Sequence, residues 1–305
     1  MAFTVDVIIG AVEHSLTDGS LCYFQGDDGL GMSPLHRLIE RGPLQHGETD
    51  RGFRLDPRFF RLFLDVEGSS WENLWTKRNS LLDIFRPTND PVIVRWTFDP
   101  DAAGLGGFDS TIRQIDAFLE GDMKMPSSRR EAFAQKVVVG LKANDPTFYD
   151  PTAIAVTFQL GGASGSNMPV PSEVPTEIGG STIDQSTAVN YTGNVQSYPV
   201  IRVTGPITDP VITNNTIGLG LDFTGTTIAG GDYYDIDLRY GEKSVEDSSG
   251  DNQLADLVNS SDFATWRLET SPDAPSGINS INVAGTAATS STKVELTYWV
   301  RYIGI

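Results

Sequence analysis

Two kinds of side chain in this sequence invite a search for catalytic or metal chemistry: histidines and a serine flanked by glycines. His14, His36 and His46 all lie in the first fifty residues, but none has a second histidine or a carboxylate at metal-ligand spacing on the same element. The segment 162–165 (GASG) is the nearest approach to a nucleophile elbow, and it lacks the strand-to-helix turn that such a serine needs. Neither pattern predicts a catalytic or metal site.

A third candidate is a group of aspartates. Asp232, Asp235 and Asp237 follow two glycines, and carboxylates are the ligands that Ca²⁺ prefers. However, Asp235 and Asp237 alternate with apolar residues, which indicates the polar face of a strand, and the EF-hand pattern is absent. A solvated strand face is the expected role. The sequence therefore predicts a protein that is not an enzyme and carries no cofactor or metal.

Charge and length narrow the class of protein further. The chain has 305 residues, enough for two domains, and 40 acidic against 22 basic residues give a net charge of −18. The acid excess is spread over both halves, so neither half could neutralise a nucleic-acid backbone by its overall charge. No apolar run approaches the roughly 18–20 residues that a membrane span needs, so no membrane insertion is expected. Cys22 is the single cysteine and is expected to be a small buried side chain.

One segment is predicted to be a helix in a sequence otherwise rich in strand patterns. Between Ser69 and Pro87, apolar residues recur at three- and four-residue spacing, which places them on one side of a helix. Ser69 with Glu72 predicts a capping box at its start, and Pro87 predicts its end. The expected core face consists of Trp71, Leu74, Trp75, Leu81, Leu82 and Phe85. We expect this face to cover the open side of a sheet.

Most of the remaining sequence alternates apolar and polar residues with a period of two. In the first half this pattern predicts strands at 3–9, 20–24, 61–68, 91–98, 135–143 and 153–158. Residues 110–121 fit either a strand or a helix, and a strand is the favoured interpretation. In the second half, alternating stretches are separated by Gly, Asn, Asp and Pro turns about every 8–12 residues, which is typical of an antiparallel β-sandwich. The protein is therefore expected to be mainly β.

The composition of residues 161–180 suggests where the chain divides. This stretch combines glycine, serine and proline and contains almost no apolar side chains. Such a composition is typical of a linker that proline partly stiffens. We therefore predict a first domain at 1–160, a linker at 161–180 and a second domain at 181–305.

A locally basic segment stands out against the acidic background. Residues 36–61 carry six arginines and four acids, in a pattern typical of an extended ribbon. Such a ribbon could pair with a neighbouring copy of the chain, and Arg51, Arg54 and Arg58 are the candidate interface residues. A solvated hairpin is an equally open interpretation.

Several short motifs, taken in order, resemble phage distal tail proteins, which belong to the baseplates of long, non-contractile-tailed phages. For the first domain, the motifs are Asp28 to Met32 (DGLGM), His46-Gly47, Leu55-x-Pro57-Arg58, the helix from Trp71 to Phe85, and Asn144 to Tyr149. For the second domain, they are Gly193-Asn194, Tyr198-Pro199, Gly205-Pro206, Pro210 to Ile212 with Asn214, Tyr234 to Asp237, and Arg301 to Ile305. The resemblance covers nearly the whole chain, and the order of the motifs carries it.

The resemblance implies a fold and an assembly. The first domain would be a tail-tube-like β-sandwich or split barrel flanked by one helix, and the second an antiparallel galectin-like β-sandwich. Six copies would form a ring in the virion, at the end of the tail tube, after synthesis in the host cytoplasm. The ring would join the tail tube protein to the tail tip, hub or tail-associated protein, with the tape measure and receptor-binding proteins as further candidate partners. DNA would pass through the channel without specific binding.

A second function of a different class also fits a tail component. The protein could bind or cleave carbohydrate on the host surface, with Trp266 or Trp299 as a stacking platform for sugar rings. A galectin-like fold alone does not establish sugar binding, because one fold serves many functions.

Overall fold

The chain forms two compact units. The computed structural model describes residues 3–98, 112–126, 133–159 and 181–305. Unit 1 comprises Met1–Pro151 together with Tyr302–Ile305, and unit 2 comprises Thr152–Arg301. In the described residues, regular structure is mostly antiparallel strand with a single α-helix, which confirms the predicted mainly β fold.

The strands are numbered in chain order. In the first half they are β1 (Phe3–Ile9), β2 (Val12–Ser15), β3 (Tyr23–Asp28), β4 (Leu35–Glu40), β5 (Thr49–Leu55), β6 (Arg58–Glu67), β7 (Val92–Phe98), β8 (Ile112–Lys124), β9 (Ala134–Ala143), β10 (Phe148–Tyr149) and β11 (Ile154–Gln159). In the second half they are β12 (Ser181–Asn190), β13 (Val200–Thr204), β14 (Ile207–Asn214), β15 (Leu219–Asp222), β16 (Thr227–Ile228), β17 (Tyr233–Asp237), β18 (Ser244–Asp247), β19 (Ile278–Ala288), β20 (Lys293–Tyr298) and β21 (Arg301–Tyr302).

Unit 1 is built on one sheet that folds over its own core. The strand order is β2-β1-β7-β8-β9-β6-β3, with β10 beside β8 and β21 beside β10. The long strand β8 pairs with β7 over its first half and with β9 over its second half, so it belongs to both layers. Trp96 of β7 and Phe60 of β6 lie three positions apart in strand order, yet their ring centroids are 6.1 Å apart. The two halves of the sheet therefore face each other as a sandwich.

The predicted helix is present as α1 (Trp71–Ile84). Its N-cap is Ser70, whose hydroxyl accepts a hydrogen bond from the Asn73 amide, so the predicted capping box of Ser69 and Glu72 is replaced by a cap one residue later. Leu74, Leu81, Ile84 and Phe85 are buried in the core of unit 1. Among the described residues, no helix is both long and apolar enough to cross a membrane.

Only half of the predicted core face of α1 is buried. Trp71, Trp75 and Leu82 are 45%, 48% and 47% exposed, whereas Leu74, Leu81 and Phe85 are buried. At 3.6 residues per turn, the exposed residues lie about 80° around the helix axis from the buried ones. The apolar arc is thus wider than the strip that one sheet can cover, and this corrects the predicted burial of Trp71, Trp75 and Leu82.

Unit 2 is a sandwich of two antiparallel sheets. One has the order β11-β20-β13-β17-β18, and the other has the order β12-β19-β14-β15 with β16 beside β14. Alternate residues of both sheets are buried, including Ile201, Ile236, Leu296, Leu221 and Ile281. This is the two-sheet arrangement that the period-two pattern predicts.

The observed division of the chain differs from the predicted one. Strand β11, which local composition assigns to the first domain, pairs with β20 over six residues and belongs to unit 2. The segment 161–180 lies outside the described residues, and it connects β11 to β12, two strands of the same unit. Residues 302–305 return to unit 1. Unit 2 is therefore inserted in the chain of unit 1, an arrangement that local composition does not reveal.

Candidate assembly surface

Strands β4 and β5 form a ribbon, residues 35–56, that stands apart from the main sheet of unit 1. Within the described chain, the two strands pair only with each other, and nearly all of their residues are exposed. An isolated two-stranded hairpin is at best marginally stable in water. An exposed ribbon with free strand edges is also a ready template for association. This element is therefore the first candidate for contact with another protein chain.

The ribbon is neutral rather than basic. Ion pairs join three of its four arginines to acids of the same ribbon: Arg37 to Asp50 at 2.7 Å, Arg51 to Glu40 at 2.6 Å and Arg54 to Asp56 at 3.6 Å. Residues 35–56 contain four arginines and four acids, so their formal charges cancel. Exposed pairs of this kind contribute little to stability, but they balance the charge of a surface that is to approach another. Arg51 and Arg54 remain accessible for an interface.

Apolar residues of the ribbon are exposed as well. Leu38, Ile39 and Phe53 present large hydrophobic side chains to solvent, and Leu44 in the connecting turn is fully exposed. Among the described residues, fourteen of the eighteen exposed large hydrophobic side chains belong to unit 1. Such concentrations mark association surfaces. The sequence reasoning named only the arginines and missed these residues, although unbroken apolar pairs such as Leu38-Ile39 were a visible signal.

Arg58, the third predicted interface residue, is not at the surface. Its side chain is 1% exposed and lies inside unit 1. The guanidinium donates to four backbone carbonyls: Pro146 at 2.8 Å, Gly29 at 2.9 Å, Ile303 at 2.6 Å and Gly31. Burial lowers the pKa of Arg58 to about 10, which leaves it protonated at neutral pH. Arg58 is an interior anchor, and the prediction that it forms an interface is corrected.

Three of the motifs that carry the family resemblance in the first domain meet at this anchor, together with the motif at Arg301 to Ile305. The DGLGM turn supplies two of the acceptors, the segment from Asn144 to Tyr149 supplies the third, and the segment from Arg301 to Ile305 supplies the fourth. The centroid of the Phe148 ring also lies 4.6 Å from the guanidinium carbon. Gly29 has a φ of +93°, and a side chain there would collide with the backbone of Phe59. These motifs therefore have a structural role, which is to close unit 1.

Two of the aspartates considered as calcium ligands are occupied by structural contacts. Asp235 forms a bidentate pair with Arg202, and Asp237 pairs with Arg239 at 2.6 Å. Among the described residues, no group of three or more His, Cys, Asp or Glu is arranged to hold a metal ion. Cys22 is fully buried as predicted, and burial raises the pKa of its thiol to about 12.

The two tryptophans proposed as sugar platforms are poorly placed for that role. Trp266 is fully buried in unit 2, so it cannot stack on a ligand, and that prediction is corrected. Trp299 is half-buried, and the guanidinium carbon of Arg239 lies over its ring at 5.4 Å. The geometry of these residues favours packing over carbohydrate recognition.

The fold and its surface define a class: a two-unit β protein whose first unit carries a helix, a protruding ribbon and most of the exposed apolar residues. Solved structures that share this fold include proteins of phage tails. The chain is similar to the Dit protein (gp 19.1) of phage SPP1, described as a paradigm of the hub adsorption apparatus in phages that infect Gram-positive bacteria. The sequence identity is 15%, the TM-score is 0.62, and 99% of each chain is covered.

A second likeness is to the phage P2 baseplate in its activated conformation, solved with calcium and with strontium. The identity is 10% and the TM-score 0.52 in both cases, with 100% of both chains covered. No family model and no curated protein sequence matches the chain. At these identities the likeness establishes the fold, and the resemblance to phage distal tail proteins is confirmed at that level.

Proposed function

We propose that this protein is a structural component of a phage tail tip, a distal tail protein that assembles into a ring of six copies. The observation that carries the proposal is the match of fold over essentially the whole chain, through both units, to the SPP1 Dit protein. Two sandwiches, one encoded within the chain of the other, are a more specific combination than either sandwich alone.

The surface of unit 1 supports a role for it as the assembling part. It holds most of the exposed large hydrophobic residues, and its ribbon has no partner strand outside itself among the described residues. Copies of a chain with a net charge of −18 repel one another, so their contacts need apolar burial and local charge balance. The ribbon offers both, with Phe53 and Ile39 beside the paired Arg51 and Arg54.

The remaining parts of the proposal concern partners and the channel. The ring joins the tail tube protein on one side to the tip, hub or tail-associated protein on the other, and it contacts the tape measure and receptor-binding proteins. Its acidic surface lets DNA pass without binding. Such a surface does not neutralise phosphates, so no counterions are released to favour binding. The protein acts in the virion as a structural part and not as an enzyme.

The assembly is tested by the mass of the protein in solution. Wild-type protein is expected to form particles of six subunits by light scattering, with ring-shaped images by electron microscopy. Arg51→Glu with Arg54→Glu changes the ribbon from neutral to −4 and places like charges beside Glu40 and Asp56, so this variant should shift toward monomer. Arg202→Glu with Lys293→Glu in unit 2 makes the same charge change at paired, exposed cations and should leave the rings intact.

Two results would contradict the proposal. A wild-type protein that stays monomeric at every concentration would rule out the ring. Retention of duplex DNA by wild-type rings at physiological salt would refute the non-binding channel.

A further inference from the structure

Helix α1 carries an exposed apolar strip that is separate in sequence from the exposed apolar residues of the ribbon. Trp71, Trp75 and Leu82 follow one another along the outer face of the helix, over about 16 Å. The half-exposed Phe133 packs edge-on against Trp71, with ring centroids 5.8 Å apart. The guanidinium carbon of Arg78 lies 4.2 Å from the centroid of the Trp75 ring. We call this set of five side chains the helix strip.

The composition of the helix strip indicates a contact with another protein. Tryptophan and arginine are the residues most enriched at the energetic centres of interfaces, and rings held in place lose little entropy on binding. Without such a contact, two half-exposed tryptophans on successive turns of the helix would leave a large apolar area in water. The strip is also close to neutral, because residues 71–86 contain three basic and two acidic side chains.

A closed ring needs two different surfaces on every subunit, because its contacts run head to tail. The described part of unit 1 offers two candidate surfaces, the ribbon and the helix strip, and each exposes large apolar side chains. With the ribbon at zero and residues 71–86 at +1, the rest of the chain carries −19. These two elements are therefore places where acidic copies can approach without strong repulsion.

We propose that the helix strip receives the ribbon of the adjacent copy, so that Phe53 and its apolar neighbours pack against Trp71 and Trp75. This inference rests on the proposed function, since it names the partner surface for the ribbon in the ring. The occupant is a second copy of this chain, which supplies an apolar, charge-balanced ribbon that matches the strip in both properties.

Photo-crosslinking tests this pairing directly. The photoreactive residue p-benzoylphenylalanine is placed at Phe53 in the full chain, and ¹⁴N-labelled and ¹⁵N-labelled copies are mixed before irradiation. Mass spectrometry should find crosslinked peptides of mixed isotope that join position 53 to residues 71–86. The mixed isotope shows that the contact lies between copies.

A pair of variants measures the contribution of the strip. Trp71→Ala with Trp75→Ala should raise the concentration at which the assembly dissociates by about tenfold or more. Tyr240→Ala with Leu254→Ala removes residues of comparable exposure from unit 2 and should leave it unchanged. Thermal melting of both variants should stay close to that of the wild type, because the altered side chains are half-exposed.

The outcomes separate this inference from the proposed function. If wild-type rings form but position 53 crosslinks to another region, or only within its own copy, the helix strip is not the receptor and the ring proposal stands. The helix strip is likewise excluded as the receptor if the tryptophan variant assembles as tightly as the wild type. If the wild type forms no assembly, the proposed function fails, and this inference fails with it.

Discussion

At the scale of single residues, Arg58 shows how a charged side chain can be part of the interior. A guanidinium has five N–H donors in a fixed plane, and here they meet four backbone carbonyls from three separate places in the chain, with no carboxylate among them. The charge is thus solvated by peptide dipoles instead of by water. A buried ion held in this way makes the positions of those three backbone segments depend on one side chain.

Replacing Arg58 should destabilise unit 1 strongly. Arg58→Met keeps the bulk but removes four part-buried hydrogen bonds that a charged group donates, so the free energy of unfolding should fall by about 3 kcal/mol or more. Arg58→Lys keeps the charge with fewer donors, so its free energy of unfolding should lie between those of the wild type and Arg58→Met. Denaturant titration measures both, and Arg54→Met, at an exposed site, should change stability by less than about 0.5 kcal/mol. A loss below about 1 kcal/mol for Arg58→Met would contradict the anchor role.

At the scale of elements, α1 has two apolar faces with different tasks. One face packs on the sheet through Leu74, Leu81 and Phe85, and the other presents two tryptophans to solvent. Helical spacing alone treats both faces as core, because it reports which residues are apolar and not which neighbours are available.

Substitutions on the two faces of α1 should separate stability from assembly. Leu81→Ala should lower the free energy of unfolding by about 2–5 kcal/mol, since it opens a cavity in the core. Trp75→Ala removes a half-exposed ring and should cost about 1 kcal/mol or less. Thermal and denaturant unfolding of the two variants provide the comparison. Equal losses would mean that Trp75 is part of the core after all.

Much of the fold could be predicted from local patterns, and the two largest errors have a common cause. Period-two alternation predicts the strands, and the three- and four-residue spacing predicts α1, because both patterns are local. The burial of Arg58 could not be predicted, since its acceptors are 27 to 245 residues away in sequence. The place of β11 in unit 2 depends likewise on its pairing with β20. Both of these errors concern contacts between distant segments.

At the scale of the whole molecule, unit 2 is inserted in the chain of unit 1, and residues 161–180 therefore do not connect two domains. A linker between domains would separate two independent parts when cut. Here the strands on either side, β11 and β12, belong to the two sheets of one sandwich.

Cleavage at a protease site engineered between residues 161 and 180 should therefore leave the two fragments together. Both fragments contribute strands to unit 2, and the later fragment also supplies residues 302–305 to unit 1. Gel filtration of the cleaved protein should show one peak at the uncut mass, while a denaturing gel shows two bands. Separate elution of a folded 1–160 fragment would restore the predicted domain division.

The bond from Arg58 to Ile303 also sets the timing of folding during translation. Unit 1 begins at the first strand, but one of the acceptors that surround Arg58 is made only after the 150 residues of unit 2. At roughly 5–20 residues per second, a ribosome needs about 8–30 s to cross that interval. A nascent chain therefore carries an unfinished first unit throughout the synthesis of the second. Chains released before residue 303 lack a segment that closes unit 1, so subunits with a complete first unit come only from ribosomes that have passed this position.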